Sequence, residues 1–278
     1  MVPDAVISPW GIMVAMPPFF TRSGSELVPA SHARGPWAPD MLHGRLLGGL
    51  LARAIEHEHG SFELRPARLT VDLYRNSGLV PLKPVTELVR DGRRIRVVDA
   101  YVHGPDGPIA RASCVMLRPG GQPPGVSWAP EPWDVPPPEE LGEPNPRRGG
   151  SVPTFAMWRI GEGDGDWSGQ DRRRVWMREF HRLVDDEPLS PLVRVALAAD
   201  LASPLAHWST RGLNYINADY TLNLSRLPEG DVLGMEAGGH LSADGIASGH
   251  CVLYDRSGPL GHVNTTALAN RRVLPPSG

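Results

Sequence analysis

The sequence predicts an α+β fold of two tandem units, each a long helix wrapped by a curved antiparallel sheet. Three observations carry this. Short stretches recur at a fixed spacing: ARLTVDLYR begins at 67 and ADYTLNLSR at 218, while DGPIARASCVMLR begins at 106 and SGPLGHVNTTALA at 257, both pairs 151 residues apart. Two matches in one register mark a duplicated unit. Each copy has one apolar helical pattern and then several runs of period-two alternation, the signature of strands with one buried face. The runs are separated by tight turn signals, Asp91-Gly92, Asp106-Gly107, Asp244-Gly245 and Ser257-Gly258, which make the sheet antiparallel. One helix per meander hides its apolar surface only if the sheet curls around it.

The elements follow in order. An extended stretch, ELVPASHARGPW (26–37), leads to a helix over 41–56 with Leu46, Leu47, Leu50, Leu51, Ala54 and Ile55 on one side and Asp40 placed to cap it. Gly44, Gly48 and Gly49 let another backbone or a ligand come close. Strands then run to residue 118, the end of the first unit (1–118). Residues 119–150 are so rich in proline and glycine that they read as a linker without a regular element, pinned by Trp128 and Trp133. The second unit (151–278) repeats the pattern. Its extended stretch is 171–185, and its helix starts at Ser190 as N-cap and Pro191 as first residue and stops before Pro204. That helix is apolar almost all round, so it must be enclosed.

Composition narrows the function. A net charge of −3 gives no basic field for nucleic acid or an anionic membrane surface. No stretch reads as a secretory leader or a membrane span, which sets a cytoplasmic expectation. Cys114 and Cys251 lie in separate apolar runs without ligand-spaced neighbours, so they read as buried free thiols and no metal site is expected.

The chemistry centres on Asp200. It is the one acid within the enclosed second helix, and no cation sits three or four residues from it; Arg194 is six away. Two readings stand: a functional carboxylate, or the partner of an arginine from elsewhere in the fold. His43-Gly44, at the start of the first helix, offers backbone N–H groups to a carbonyl or oxyanion and an imidazole to carry protons; a histidine merely satisfied by a nearby carbonyl is the alternative. The arginines of GRR (92–94) and DRRR (171–174) read as phosphate contacts or as solvated turns.

A helix inside a curled antiparallel sheet, done twice, is the double hot-dog arrangement. TRSGSELVPASHARGPW, HGRLLGGLLARAIE, RLTVDLYRN and VRDGRRIRVVDAYV resemble the first half of the type II, TesB-like acyl-CoA thioesterases. EPLSPLVRVALAADLAS, LNYINADYTLNLSR and CVLYDRSGPLGHV resemble the second half. The resemblance implies three residues that hold an attacking water: an Asp in the second helix, a Thr or Ser at the next strand's start, and a Gln on the last strand. By position these fall on Asp200, Asn217 and Thr265, so the first is kept and the other two are replaced. Strand parity sets Asn217 opposite the apolar face of Ile216, Ala218 and Tyr220, whereas Thr265 repeats the inward Cys114. The 151-residue spacing matches Asp200 to Gly49.

The expectation is therefore a thioesterase that hydrolyses acyl-CoA, or an acyl chain on a carrier protein, with Asp200, Asn217 and Thr265 catalytic and His43 and Gly44 binding substrate. No metal or redox cofactor is implied; coenzyme A enters as part of the substrate. A homodimer is expected, with no nucleic-acid or membrane partner. The alternatives are a non-catalytic acyl-thioester binding protein, or another hot-dog enzyme such as an enoyl-thioester hydratase.

Overall fold

The computed structural model describes residues 16–128, 133–149, 152–161, 172–185 and 187–274. A hairpin of β1 (Phe20–Ser23) and β2 (Glu26–Pro29) precedes α1 (Gly44–His59). A meander follows: β3 (Arg65–Leu73), β4 (Lys83–Asp91), β5 (Ile95–Gly104) and β6 (Gly107–Leu117). The second half opens with β7 (Asn145–Gly149), β8 (Val152–Ile160) and β9 (Arg174–Glu179), then α2 (Pro191–Ala199) and α3 (Ala202–His207). It closes with β10 (Trp208–Ser209), β11 (Gly212–Asn217), β12 (Asp219–Leu224), β13 (Val232–Ala243), β14 (Ile246–Asp255) and β15 (Gly258–Leu274).

All strands but the first two join one antiparallel sheet, ordered β4-β5-β6-β3-β12-β15-β14-β13-β9-β8-β7, with β11 also on β15. The two units meet where β3 pairs with β12. Thr70 lies opposite Thr221 there, and their hydroxyls are hydrogen-bonded at 3.2 Å. These two residues are 151 apart, so the sequence repeat becomes a local twofold axis at the β3–β12 seam. The hairpins turn where expected: Asp244 and Gly245 both have positive φ (50° and 78°), as the tightest hairpin turns require.

α1 and α2 pack together inside this sheet. Leu46, Leu50, Leu51 and Ile55 of α1 are completely buried, and each contributes about 1.5–3 kcal/mol relative to exposure. Gly49 lets the two helices approach closely, and Gly48 makes room for Tyr220 of β12. A Cβ on Gly48 would lie 1.9 Å from the Tyr220 hydroxyl, and one on Gly49 would lie 2.7 Å from Leu197. Cys114 and Cys251 are buried free thiols, and burial pushes the Cys114 thiol up to about 12.

Four expectations are corrected. The cap of α1 is His43, whose ring accepts from the Arg45 N–H, and not Asp40. The second unit lacks one long helix: α2 ends at Ala199, and Pro204 lies inside α3 and does not stop the helix. Proline is tolerated in α3's first turn because an N–H there has no partner. The Pro/Gly-rich stretch does contain a regular element, since β7 pairs with β8; Trp133 pins the segment by stacking on Tyr254 and donating to Glu236, whereas Trp128 is exposed. Finally, the helices start 147 residues apart, at Gly44 and Pro191, so the strand spacing does not carry through them. Counted from the helix starts, Asp200 matches Arg53, not Gly49.

Candidate active site

Asp200 sits at the break between α2 and α3, and Pro204 explains the break. In a continuous helix the ring of Pro204 would collide with the carbonyl four residues back, which is that of Asp200. The chain instead makes a tight turn, with Leu201 N–H donating to Ala198. The Asp200 side chain is carried to the start of α1. It is buried, at 7% exposure, and accepts from Asn217 Nδ2 at 2.9 Å and from the Arg45 backbone N–H. α1 has no acid in its own first turn. Asp200 brings a negative charge to that positive helix end from another helix, the arrangement that a helix dipole favours.

The environment leaves Asp200 a stronger base than an exposed carboxylate. Burial raises its pKa above the ordinary value, opposed by the Asn217 hydrogen bond and the Arg45 charge. The cation sought along its own helix is thus supplied by α1, but the Arg45 guanidinium is committed to Glu179, in a pair whose two side chains are both buried. His43 is a titratable neighbour, with Nδ1 3.9 Å from Asp200 Oδ2. Burial and the Arg45 charge hold its pKa down at about 3, so it is neutral and the two do not form an ion pair.

Asn217 reaches the site through a slip in register. It lies opposite Ala267, whereas Thr221 lies opposite Asn264: four residues advance on one strand against three on the other. This bulge reverses parity, so Asn217 and Tyr220 both face inward, which alternation alone forbids.

These residues share a cleft of about 490 Å³. His43, Gly44, Asp200 and Asn217 line it together; Leu47, Leu73 and Ile216 give apolar walls. Thr265 does not join them. It is buried beneath the bulge, and its hydroxyl donates to the Asp219 carbonyl at 2.9 Å. Trp37, Tyr74, Arg75 and Asn270 also line the cleft, and no local sequence signal marked them. The arginine runs lie elsewhere: Arg93 and Arg94 border a separate hollow with Arg118, and Arg172 pairs with Glu236. Among the described residues no group of three His, Cys, Asp or Glu could hold a metal ion, and no helix is long and apolar enough to cross a membrane.

The fold has known counterparts. No curated protein matches the sequence. Among solved structures, a tesB protein of Mycobacterium avium subspecies paratuberculosis superposes with a TM-score of 0.65 at 17% identity, covering 90% of this chain and 95% of its own. A candidate thioesterase II of Thermobifida fusca gives 0.70 at 16%, covering 98% and 100%. A hot-dog protein of unknown function from Alicyclobacillus acidocaldarius gives 0.67 at 16%, covering 92% and 96%. Identities this low show the fold alone, and that fold is the hot-dog one. Residues 33–117 match the model of the acyl-CoA thioesterase N-terminal domain, and 129–269 match that of the C-terminal domain. With most of its length in those two domains, the chain belongs to the acyl-CoA thioesterase family and is a thioester hydrolase.

Proposed function

We propose that the protein hydrolyses an acyl-CoA, or an acyl chain on a carrier protein, by a water activated at Asp200. One observation carries the reading: a buried carboxylate, oriented by Asn217 and the first turn of α1, opens on a cleft with apolar walls. Its size falls in the range of small-ligand sites. The water oxygen bonds to the thioester carbonyl carbon and its proton passes to Asp200. The tetrahedral intermediate then collapses, the C–S bond breaks, and the departing thiolate takes the proton from the Asp200 carboxyl. Arg45 N–H is given to Asp200 and Leu46 N–H to the His43 carbonyl, so the Gly44 N–H at the positive end of α1 serves the developing oxyanion. A Cβ on Gly44 would lie 3.8 Å from both Asp200 oxygens, so glycine leaves room there for the water. The sequence of steps invokes no cofactor.

The test is thiol release from a panel of acyl-CoA and acyl-carrier thioesters of graded chain length. Turnover by the unmodified protein, lowered about 10²–10⁴-fold in Asp200→Asn, supports the reading. If Asp200→Asn turns over normally, the assignment fails. Thermal stabilisation by the same thioesters with no thiol release would make the protein a binder.

A further inference from the structure

We infer that His43 supplies the third catalytic group, its Nε2–H donating to the thioester carbonyl oxygen as that oxygen gains charge. The inference rests on the hydrolase reading of the Asp200 cleft. It begins from Thr265: the position that the family fills with a glutamine carries a hydroxyl already given to the Asp219 carbonyl. Asn270, which β15 does bring to the cleft, is engaged in an interaction of its own. His43 lies beside Asp200, lines the cleft and can donate.

The helix start fixes how the ring presents itself. Nδ1 faces the Arg45 N–H at 3.5 Å and acts as the acceptor. A neutral imidazole with Nδ1 accepting carries its proton on Nε2. Nε2 is at the other edge of the ring, and a quarter of the side chain is exposed in a residue that lines the cleft. The charged groups facing the ring are Asp200, across the helix crossing, and Arg45, on its own helix. Desolvation and Arg45 keep the ring neutral at working pH. That neutrality suits the role. A protonated ring would attract Asp200 and occupy the carboxylate needed for the water, whereas a neutral N–H donor keeps the same state throughout turnover.

The test compares acyl-CoA turnover in the unmodified protein, His43→Leu, His43→Gln and Asp200→Asn. His43→Leu is expected to lower kcat about 10²–10³-fold with little change in KM, the loss typical of one oxyanion donor. His43→Gln keeps an N–H donor and is expected to restore kcat to within about 10-fold of the unmodified rate. Nitrogen NMR should show a neutral ring protonated at Nε2 near pH 6, and the kcat/KM profile should have no limb near 6.5. His43→Leu turning over normally while Asp200→Asn is dead would overturn the role of His43 and spare the hydrolase reading. No thiol release by the unmodified protein would overturn both. A limb near 6.5 that vanishes in His43→Gln would replace the neutral donor with a titrating acid-base group and overturn the inference. If His43→Leu does not fold, His43→Gln decides: a rate as low as that of Asp200→Asn refutes the donor.

Discussion

At the scale of one residue, Asp200 is held against its own solvation. Its pKa is raised, so the folded chain binds that proton more tightly than the unfolded chain. Stability from this group is therefore greatest at low pH and is lost as pH rises through the folded-state pKa, leaving a penalty at neutral pH. Asp200→Asn removes the penalty and keeps an acceptor for Asn217. It should melt a few degrees higher at pH 7, a gain on the order of 1 kcal/mol. The gain should shrink as pH falls and the unmodified Asp200 takes up its proton. Melting curves of both proteins from pH 4 to 8 measure this, and a gain that does not change with pH would refute it. In the proposed hydrolysis this carboxylate is ionised when it accepts the water's proton, so kcat/KM should fall on the acid side below a pKa higher than that of an exposed aspartate.

At the scale of an element, the break between α2 and α3 places Asp200 in the candidate site, and Pro204 makes the break. Pro204→Ala restores an N–H that can bond the Asp200 carbonyl and removes the collision, so α2 and α3 should fuse. The fold should hold to within about 1 kcal/mol, because the proline already occupies a first turn where it is tolerated. Turnover should drop at least about 10-fold as the carboxylate swings from the α1 start, a displacement of the kind that costs that much or more. Full activity with unchanged circular dichroism would refute the link. The same element shows what was legible in the sequence. Ser190 and Pro191 announced the helix start, and Ser190 does accept from Val193 N–H at 3.1 Å. Pro204 was equally visible, but it reads locally as a stop, and only its distance of four residues from Asp200 reveals a break. Asn217 was harder. Its inward turn depends on a one-residue slip against β15, a pairing made some fifty residues on, and alternation within its own strand points the other way. Arg45 was out of reach for the same reason, because the charge beside Asp200 comes from the other unit's helix.

At the scale of the whole molecule, a twofold scaffold carries two unlike helix starts. The axis between Thr70 and Thr221 relates the two units, so each helix start should face an equivalent position on the other helix. At the α1 start that position is Asp200. At the α2 start it is Arg53, which binds both carboxylate oxygens of Glu187 in a hollow of about 150 Å³ bordered by Leu189, Ser190 and Val193. An ion pair thus fills the place where the other unit opens a cleft, and on the proposed function the duplicated copy serves as structure. A non-hydrolysable thioether analogue should therefore saturate at one per chain by calorimetry. Arg53→Ala should leave kcat/KM within about twofold, since the residue lies nearly three turns along α1 from His43, a separation of about 15 Å. It should lower stability by only about 1 kcal/mol, because the pair is partly exposed and screened by solvent, with Glu187 also bound to Arg22. Two equivalents bound per chain, or a large loss of turnover in Arg53→Ala, would mean that the second hollow takes part in the reaction and that duplication had preserved two working sites.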